Sequence, residues 1–432
     1  MAAGALILVE GDTLGTGLLY VQAARRLRLH PIVLSADPSR HGYLAAEGIE
    51  VIHADTSDLD ALIAECCRLS ARYNIAGITS SEEPFYATIG KLCRHFALPG
   101  PNPTSVERCC NKFTQRQLLS QAGLPIPAYR LATNVAGAIS SAAEIGLPVV
   151  LKPAVGTGSV GVRLCCNNDE LSDHATHLLG GARMHPPGTS SPNLLVEELV
   201  QGPQYIVHMM ADEVIGIEAA EFRPPPHFVY HEFTFPALMT DGEHEHISDV
   251  SLNCLRALGL GWGPTNIEFR WSTLGPVIIE VNPRIAGAPE PQLVQLACGV
   301  DLIMEHIKLV IGDEWDLRKT RSHSAGVRFL TSDGDGVLDW IHGASRAAAL
   351  SGVAEVKLYV EPKTPIVRTG DYRDVMGHVV AASPSHARTQ MILRRAAEAI
   401  GWSMTPFPGL DEPDERAGPC LAARAQATPS NT

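Results

Sequence analysis

Basic residues are scarce in this sequence, and the shortage weighs against nucleic acid as a partner. Its 432 residues contain 34 Lys and Arg against 47 Asp and Glu, which leaves a net charge of −13. Proteins that bind nucleic acid cluster Lys and Arg to neutralise phosphates, and no basic run is present. We therefore expect no nucleic-acid partner.

Long apolar runs and paired cysteine motifs are missing as well. No uninterrupted apolar run reaches the roughly 18 residues that a membrane-spanning helix needs, and the short apolar segment near the N-terminus lacks the basic flank of a signal peptide. The ten cysteines are scattered without a C-x-x-C spacing, as is typical of reduced thiols. These absences predict a cytoplasmic protein without a membrane contact.

Two common nucleotide-binding motifs are also missing. The first glycines, at positions 11, 15 and 17, do not have the G-x-G-x-x-G spacing of a dinucleotide-binding turn. In the segment KPAVGTGSVGVR (152–163), the lysine precedes the glycines, whereas a P-loop places it after them. No H-R-D or D-F-G motif of a protein kinase follows.

What remains at 152–163 is either an ordinary glycine turn beside an exposed lysine or a glycine flap over phosphates. In the second interpretation, backbone N–H groups fold over the phosphates and Lys152 reaches in from the preceding strand. The residues of this flap are Gly156, Thr157, Gly158 and Ser159.

The chain divides into units by its pattern of strands and helices. Apolar strands at 5–10, 31–37, 51–55 and 75–80 alternate with helices, which predicts a doubly wound parallel sheet. A Pro/Gly-rich linker begins at 98, strands and helices continue to about 320, and short strands with one late helix then indicate a small α+β unit. The segment 184–193 has the composition of a mobile loop, and the Pro- and Ala-rich tail, 409–432, is predicted to be disordered.

Two acids and an amide predict a metal site. The segment 263–287 reads as two strands joined by a turn near Leu274, which sets Glu268 opposite Glu280. Opposed carboxylates repel each other unless a cation lies between them, and Asn282 points to the same face as Glu280. Mg²⁺ binds such oxygens together with nucleotide phosphates. The alternative is a pair of exposed acids on a solvated hairpin, which the apolar neighbours disfavour.

Arg284 follows the metal set directly. A permanently charged, bidentate donor beside Mg²⁺ suits an anionic transition state or an acyl phosphate.

The flap, the acid–acid–Asn set and the trailing arginine, in this order, resemble the ATP-grasp superfamily of carboxylate–amine ligases, most closely the group of L-amino-acid ligases and biotin carboxylase. The resemblance covers about residues 1–405 and implies a fold of α/β and α+β units. It implies a preATP-grasp domain at 1–107, an ATP-grasp domain at 108–320 with a lid subdomain at about 128–203, and a C-terminal domain at 321–408 similar to that of biotin carboxylase.

The resemblance also implies roles for individual residues. Lys112 and Lys152 match the two ATP-facing lysines of the family, and Glu197, Glu198 and Leu199 match the adenine hinge. Gln204 stands where the family has an acid for the ribose, so an amide replaces that contact. Further roles concern the metal and the chemistry: Mg²⁺ on Glu268, Glu280 and Asn282, acyl-phosphate stabilisation by Arg284, and backbone near the substrate at Gly287.

The implied reaction joins a carboxylate to an amine through an acyl phosphate, with release of ADP and phosphate. The implied cofactors are ATP and Mg²⁺, with Mn²⁺ as a substitute, and the implied assembly is a homodimer that acts on small molecules. Amino acids, or a small dicarboxylic acid and an amino acid, are the expected substrates. A carboxylase, a nucleotide-biosynthesis ligase and a non-catalytic nucleotide-binding regulator remain as alternatives.

We also predict roles for three further segments. Glu82 and Glu83, after the fourth strand, are either surface acids or the receptors of a substrate ammonium group. Residues 234–238 are a candidate lining of the acyl pocket. The His- and Glu-rich segment 241–248 reads as a loop, and zinc binding there is an alternative that the absence of a rigid frame disfavours.

Overall fold

The computed structural model describes residues 4–11, 15–180 and 193–407, and within them the N-terminal unit is a parallel sheet flanked by helices. The strand order is β3-β2-β1-β4 and all three pairings are parallel, so the prediction of a doubly wound parallel sheet is confirmed. Its elements are β1 (Ala5–Val9), α1 (Thr16–Arg26), β2 (His30–Ser35), α2 (Gly42–Ala46), β3 (Glu50–His53), α3 (Leu59–Ser70), β4 (Ile75–Thr79), α4 (Tyr86–His95) and α5 (Pro103–Cys110).

The lid is a four-stranded sheet of order β5-β8-β6-β7, in which every pairing is antiparallel. Two helices, α7 and α8, pack on it around a core of Leu, Val and Ala side chains. The glycine flap connects β6 to β7. The elements from the linker through the lid are α6 (Lys112–Gln121), β5 (Tyr129–Ala132), α7 (Val135–Ile145), β6 (Val149–Pro153), β7 (Arg163–Cys165), α8 (Asn168–Gly180) and β8 (Leu194–Glu198).

A long antiparallel sheet forms the floor beneath the lid, and its order is β13-β12-β9-β10-β11-β14-β18-β16. Its first five strands and their helices are β9 (Gln204–Met210), β10 (Glu213–Phe222), β11 (Tyr230–Phe235), α9 (Asp241–Leu258), β12 (Pro264–Ser272), β13 (Gly275–Asn282), α10 (Glu290–Cys298) and α11 (Leu302–Val310). The strand–turn–strand prediction around Leu274 is confirmed, because β12 ends at Ser272 and β13 begins at Gly275.

The prediction of a loop at 241–248 is wrong, because these residues are the first turns of α9. The helix starts with a capping box: the Thr240 hydroxyl accepts from Glu243 N–H at 3.3 Å, and the Glu243 carboxylate accepts from Thr240 N–H at 2.8 Å. These reciprocal bonds satisfy backbone donors that a helix start otherwise leaves open. The buried Ile247 and Val250 then anchor the helix to the core.

The C-terminal strands extend the same floor. β14 pairs with β11 along Glu232↔Arg328 to Phe235↔Ala325, so the eight-stranded sheet crosses the predicted boundary near residue 320. The C-terminal elements are β14 (Ser324–Thr331), β15 (Gly336–His342), α12 (Ala344–Ala348), β16 (Val353–Leu358), β17 (Pro365–Ile366), β18 (Val375–Ser383), α13 (His386–Glu398) and β19 (Gly401–Pro406).

Two predicted flexible segments fall largely outside the described residues, namely 184–193, of which only Asn193 is described, and the tail 409–432. Among the helices that the structure describes, none combines the length and the apolar character needed to cross a bilayer.

Candidate active site

A cavity of about 440 Å³ lies between the glycine flap and the floor of the long sheet. Except for the candidate acyl-pocket segment 234–238, the residues that the sequence predicted for the site line this cavity, from Glu82 and Glu83 in the N-terminal unit to Gly287 after β13. The tertiary structure therefore brings together five separate stretches of sequence, although the role of each residue stays a prediction.

The two predicted metal-binding acids face each other across the β12–β13 hairpin. Glu268 and Glu280 are direct cross-strand partners, which confirms the predicted facing, and the register shifts by one residue between Glu268 and Phe269. Burial, and after it the charge of Glu280, raise the pKa of Glu268. Burial also acts against ionised Glu280, but Lys112 and Lys152 outweigh it and lower the pKa of that carboxyl group. The pair is thus electrostatically strained in a way that a bound cation relieves.

The Asn282 amide lies beside the carboxylates of the cavity. Asn266 Nδ2 donates to the Arg284 carbonyl at 3.1 Å, and Asn266 Oδ1 lies 3.1 Å from one end of the Asn282 amide. The other end lies 3.2 Å from Glu280 Oε1 and 3.1 Å from Glu83 Oε2, where an amide NH₂ group can donate to both carboxylates. Rotation of the amide by half a turn would present its oxygen to a cation held by the acids. Two carboxylates and an amide oxygen are ligands that Mg²⁺ prefers, so the residues fit the implied ion.

Arg284 connects three parts of the cavity. Its Nε donates to Glu83 Oε2 at 3.0 Å, one terminal nitrogen donates to Thr157 Oγ1 at 2.9 Å, and the other donates to the Ile285 carbonyl at 3.1 Å. The guanidinium therefore joins the glycine flap to the N-terminal unit. Glu83 is engaged by this ion pair, while the predicted role of Glu82 in ammonium binding stays a prediction.

Lys112 sits at the start of α6, where the Asn111 side chain caps the helix. Its Nζ lies 3.0 Å from Glu280 Oε1 and also donates to the carbonyl oxygen of Gly156 in the flap. The side chain is almost completely buried. Burial favours the neutral amine, but Glu280 and Glu83 outweigh it and raise the pKa of Lys112.

Lys152 belongs to a buried charge network that the sequence did not predict. Glu197 Oε2 lies 2.6 Å from Lys152 Nζ, and Glu197 Oε1 accepts from Arg116 Nε, also at 2.6 Å. Burial, followed by the charge of Arg116, lowers the pKa of Lys152, while Glu197 opposes the shift. Glu197 therefore pairs with Lys152 and Arg116 while it also lines the cavity, and its role in the adenine hinge stays a prediction.

The rest of the predicted hinge lies at the cavity edge. Glu198 points outward from β8 and accepts from Ala128 N–H at 3.2 Å. Gln204, predicted for the ribose, donates its amide to Glu268 Oε2 at 3.0 Å. A ribose contact through Gln204 stays a prediction, since one of its donors is already used by a metal-site carboxylate.

The flap packs against the C-terminal part of the chain. Tyr372 N–H donates to the Gly158 carbonyl at 3.2 Å, and a Cβ on Gly158 would lie 2.5 Å from the Tyr372 ring. Gly158 also has φ +66°, a conformation that side chains other than hydrogen disfavour. Two features therefore favour glycine at 158, namely the backbone conformation and the close approach of the Tyr372 ring.

An aromatic wall forms part of the cavity lining. It consists of Phe222, Tyr230, Phe233 and Phe329, whose ring centroids lie 5.2–5.8 Å apart in five contacts of edge or tilted geometry. The prediction that 234–238 lines the acyl pocket is wrong: these residues do not line the cavity. Phe235 instead packs on His208 with centroids 5.9 Å apart.

Sequence reasoning missed Arg116, Tyr372 and the aromatic wall. Arg116 carried a usable signal, because it follows Lys112 by four positions and so shares a face of α6. Tyr372 carried none, since it lies more than 200 residues from the flap in the chain.

Two family models match the chain: "Carbamoyl-phosphate synthase L chain, ATP binding domain" over residues 111–318, and "L-amino acid ligase C-terminal domain 2" over residues 328–405. The uncharacterized protein y4rH of Sinorhizobium fredii is 58% identical over 411 residues, covering 95% of this chain and 85% of that protein. Human carnosine synthase 1 is 24% identical over 416 residues, covering 90% of this chain but 49% of the synthase, so the chain spans about half of that relative.

Solved structures give the same comparison in three dimensions. L-amino acid ligase from Bacillus licheniformis has a TM-score of 0.81 at 18% identity, covering 94% of this chain and 100% of that one. The biotin carboxylase domain of 2-oxoglutarate carboxylase from Hydrogenobacter thermophilus, in complex with MgADP, has a TM-score of 0.66 at 17% identity and covers 94% of this chain and 92% of that one. At these identities the structures establish the fold alone.

Proposed function

Because the chain belongs to the ATP-grasp superfamily of carboxylate–amine ligases, we propose that it forms an amide bond between a small carboxylic acid and an amine. ATP would be consumed through an acyl phosphate, and ADP and phosphate would be released. The observation that carries the proposal is the convergence of two buried lysines, the opposed acid pair and Arg284 in one cavity under the glycine flap.

Side chains of this protein would bind the phosphates, stabilise the negative charge that forms, and hold the flap in place. Lys112 and Lys152 place two buried cations where phosphates enter beneath the flap, in a low-dielectric setting where each contact is strengthened. Arg284, held by Glu83, presents an oriented guanidinium to the anion that forms when the carboxylate takes the phosphoryl group. Thr157 ties the flap to Arg284, so closure of the flap over the nucleotide also excludes water from the acyl phosphate.

Glu268, Glu280 and Asn282 would hold Mg²⁺, which when bound neutralises phosphate charge and orients the transferred phosphoryl group. Mn²⁺ has the same preference for oxygen ligands and remains a predicted substitute.

The proposed substrates are amino acids, or a small dicarboxylic acid with an amino acid. The likeness to carnosine synthase and to L-amino acid ligase supports this class. The aromatic wall of Phe222, Tyr230, Phe233 and Phe329 supports an apolar group on one of the two substrates. Assembly as a homodimer and a cytoplasmic location stay predictions, which light scattering and cell fractionation would check.

The test is ADP release with a panel of free amino acids, supplied singly and in pairs, together with mass detection of the amide. The proposal expects ADP and amide in equal amounts, and only when both partners are present. A nucleotide-binding regulator would release no ADP, and a carboxylase would require bicarbonate.

Two substitutions separate the proposed roles. Arg284→Ala should abolish turnover while ATP binding persists, and Glu280→Gln should abolish turnover through loss of the metal ion. Wild-type turnover in either variant would contradict the role assigned to that residue.

A further inference from the structure

A second polar cluster lies beside the proposed reaction centre. His208, Glu218 and Glu290 each place one nitrogen or oxygen within 4.8 Å of the others. Glu290 lines the cavity, whereas Glu218 and His208 lie behind it and are fully or almost fully buried. His208 Nε2 and Glu218 Oε2 are 2.7 Å apart.

The cluster has an acceptor without a partner. Glu218 Oε1 is buried and makes no hydrogen bond within the described part of the chain, a state that costs free energy unless a donor or cation arrives. Burial raises the pKa of Glu218, and burial followed by the charge of Glu218 raises that of Glu290. Burial therefore favours either a bound proton or a positive group beside the two acids.

Strand register fixes the distance from this cluster to the metal site. Ile206 on β9 is the cross-strand partner of Glu268 on one side and of Glu218 on the other. Neighbouring strands lie about 4.8 Å apart, so the backbones at Glu218 and Glu268 are separated by about twice that distance. Glu290 interacts with both sites: burial and then the charge of Glu218 raise its pKa, as does the charge of Glu268, while the charges of His208 and Arg284 lower it.

We propose that Glu290, backed by Glu218 and His208, is the binding site of the attacking amine, which arrives as an ammonium ion. The inference rests on the proposed ligase function and adds to it the group that receives the second substrate. Glu290 contacts the ammonium group as a catalytic residue. Glu218 and His208 are positioning residues, because they act through Glu290.

The step balances in atoms and charge. The ammonium group gives one proton to Glu290, and the freed lone pair attacks the carbonyl carbon of the acyl phosphate to form the C–N bond. The C–O bond to phosphate then breaks, and the second nitrogen proton leaves with the phosphate. Glu290 ends as a carboxylic acid beside Glu218, whose other oxygen is held by His208.

An ammonium ion suits this cluster better than the alternative occupant, a divalent metal. A single positive charge with several N–H donors matches the one carboxylate of the cluster that lines the cavity, that of Glu290. Glu83, which the sequence also suggested for an ammonium group, already pairs with Arg284 at 3.0 Å.

The experiment compares two acceptors of the same acyl phosphate. One is the amine that gives the fastest ADP release in the amino-acid panel, and the other is hydroxylamine, which is mainly uncharged at neutral pH and yields a hydroxamate. The measured quantity is the ratio of amide to hydroxamate for the wild type and for Glu290→Gln, Glu218→Gln and Glu221→Gln. Glu221 is the matched control, since it is exposed on the same strand as Glu218.

Loss of one charge-assisted contact should lower the ratio about 30-fold in Glu290→Gln, mainly through a higher KM for the amine. Glu218→Gln should shift the ratio in the same direction by a smaller factor, and Glu221→Gln should retain the wild-type ratio. ATP binding and thermal melting of each variant show whether it is folded.

Three results would overturn the inference. One is an unchanged ratio in folded Glu290→Gln, and another is an equal loss of both products, which would assign Glu290 to the acid. The third is a tightly bound Zn²⁺ or Mn²⁺ found by elemental analysis in the wild type and lost in Glu290→Gln. Absence of both hydroxamate and amide from the wild type would instead refute the ligase function itself, and this inference with it.

Discussion

Glu197 offers the sharpest test of the buried charge network, because it is the one carboxylate placed between Lys152 and Arg116. Its side chain is 4% exposed, and both contacts measure 2.6 Å. Glu197→Gln keeps the shape but leaves two buried cations facing a neutral amide. Breaking a buried pair in this way costs about 3–5 kcal/mol, a large share of the about 5–15 kcal/mol that stabilises a typical domain.

The substitution should also change nucleotide affinity. With its counter-charge gone, Lys152 loses the group that opposes the effect of burial and of Arg116 on its pKa. Lys152 would also lose the carboxylate that positions its ammonium group, so KM for ATP should rise about tenfold, as expected for the loss of a charge-assisted contact worth about 1.5 kcal/mol.

A double-mutant cycle with Arg116→Met tests whether the network is the cause. Urea unfolding gives the stability of each variant, and initial rates give KM for ATP. Removing Arg116 in the Glu197→Gln background should restore part of the lost stability, because the surplus cation is gone. Glu144→Gln is the control, as it breaks an exposed lid ion pair, with Arg130, that should contribute little. Strictly additive effects of the two single changes would refute the reasoning.

Three further predictions concern the flap, helix α9 and the buried side chain of His306. Gly158→Ala should raise KM for ATP, because the new Cβ would lie 2.5 Å from Tyr372; recovery in a Gly158→Ala/Tyr372→Ala double variant would support the steric cause, and a wild-type KM in the single variant would contradict it. Thr240→Ala should lower the free energy of unfolding by about 1 kcal/mol through loss of the helix cap, and an unchanged urea midpoint would count against the capping box. Burial lowers the pKa of His306 from 6.5 to about 3, so within that window the unfolded chain binds a proton that the folded chain does not, and stability falls as pH drops. His306→Gln should reduce this slope by up to about 1.4 kcal/mol per pH unit, and an identical slope in the variant would exclude the contribution.

Local sequence patterns predicted the structure correctly where residues close together in the chain also lie close together in space. The hairpin around Leu274 brings β12 and β13 together, as predicted, but the turn pairs Ser272 with Gly275, and Glu268 meets Glu280 only because the register shifts between Glu268 and Phe269. The parallel sheet of the N-terminal unit followed equally from alternating strands and helices. The helix at 241–258 was missed because its first turn is polar, although the capping pattern of Thr240 and Glu243 was legible.

The sequence by itself determined the order of the motifs and the β12–β13 hairpin that carries both acids, since these depend on residues close together in the chain. Only the tertiary structure decided the register shift that sets Glu268 opposite Glu280, the pairing of Glu197 with Lys152 and Arg116, and the meeting of Glu290 with Glu218 and His208. Those contacts join segments from different strands and helices, and they exist because burial in a common interior makes each charge dependent on partners that are distant in the chain.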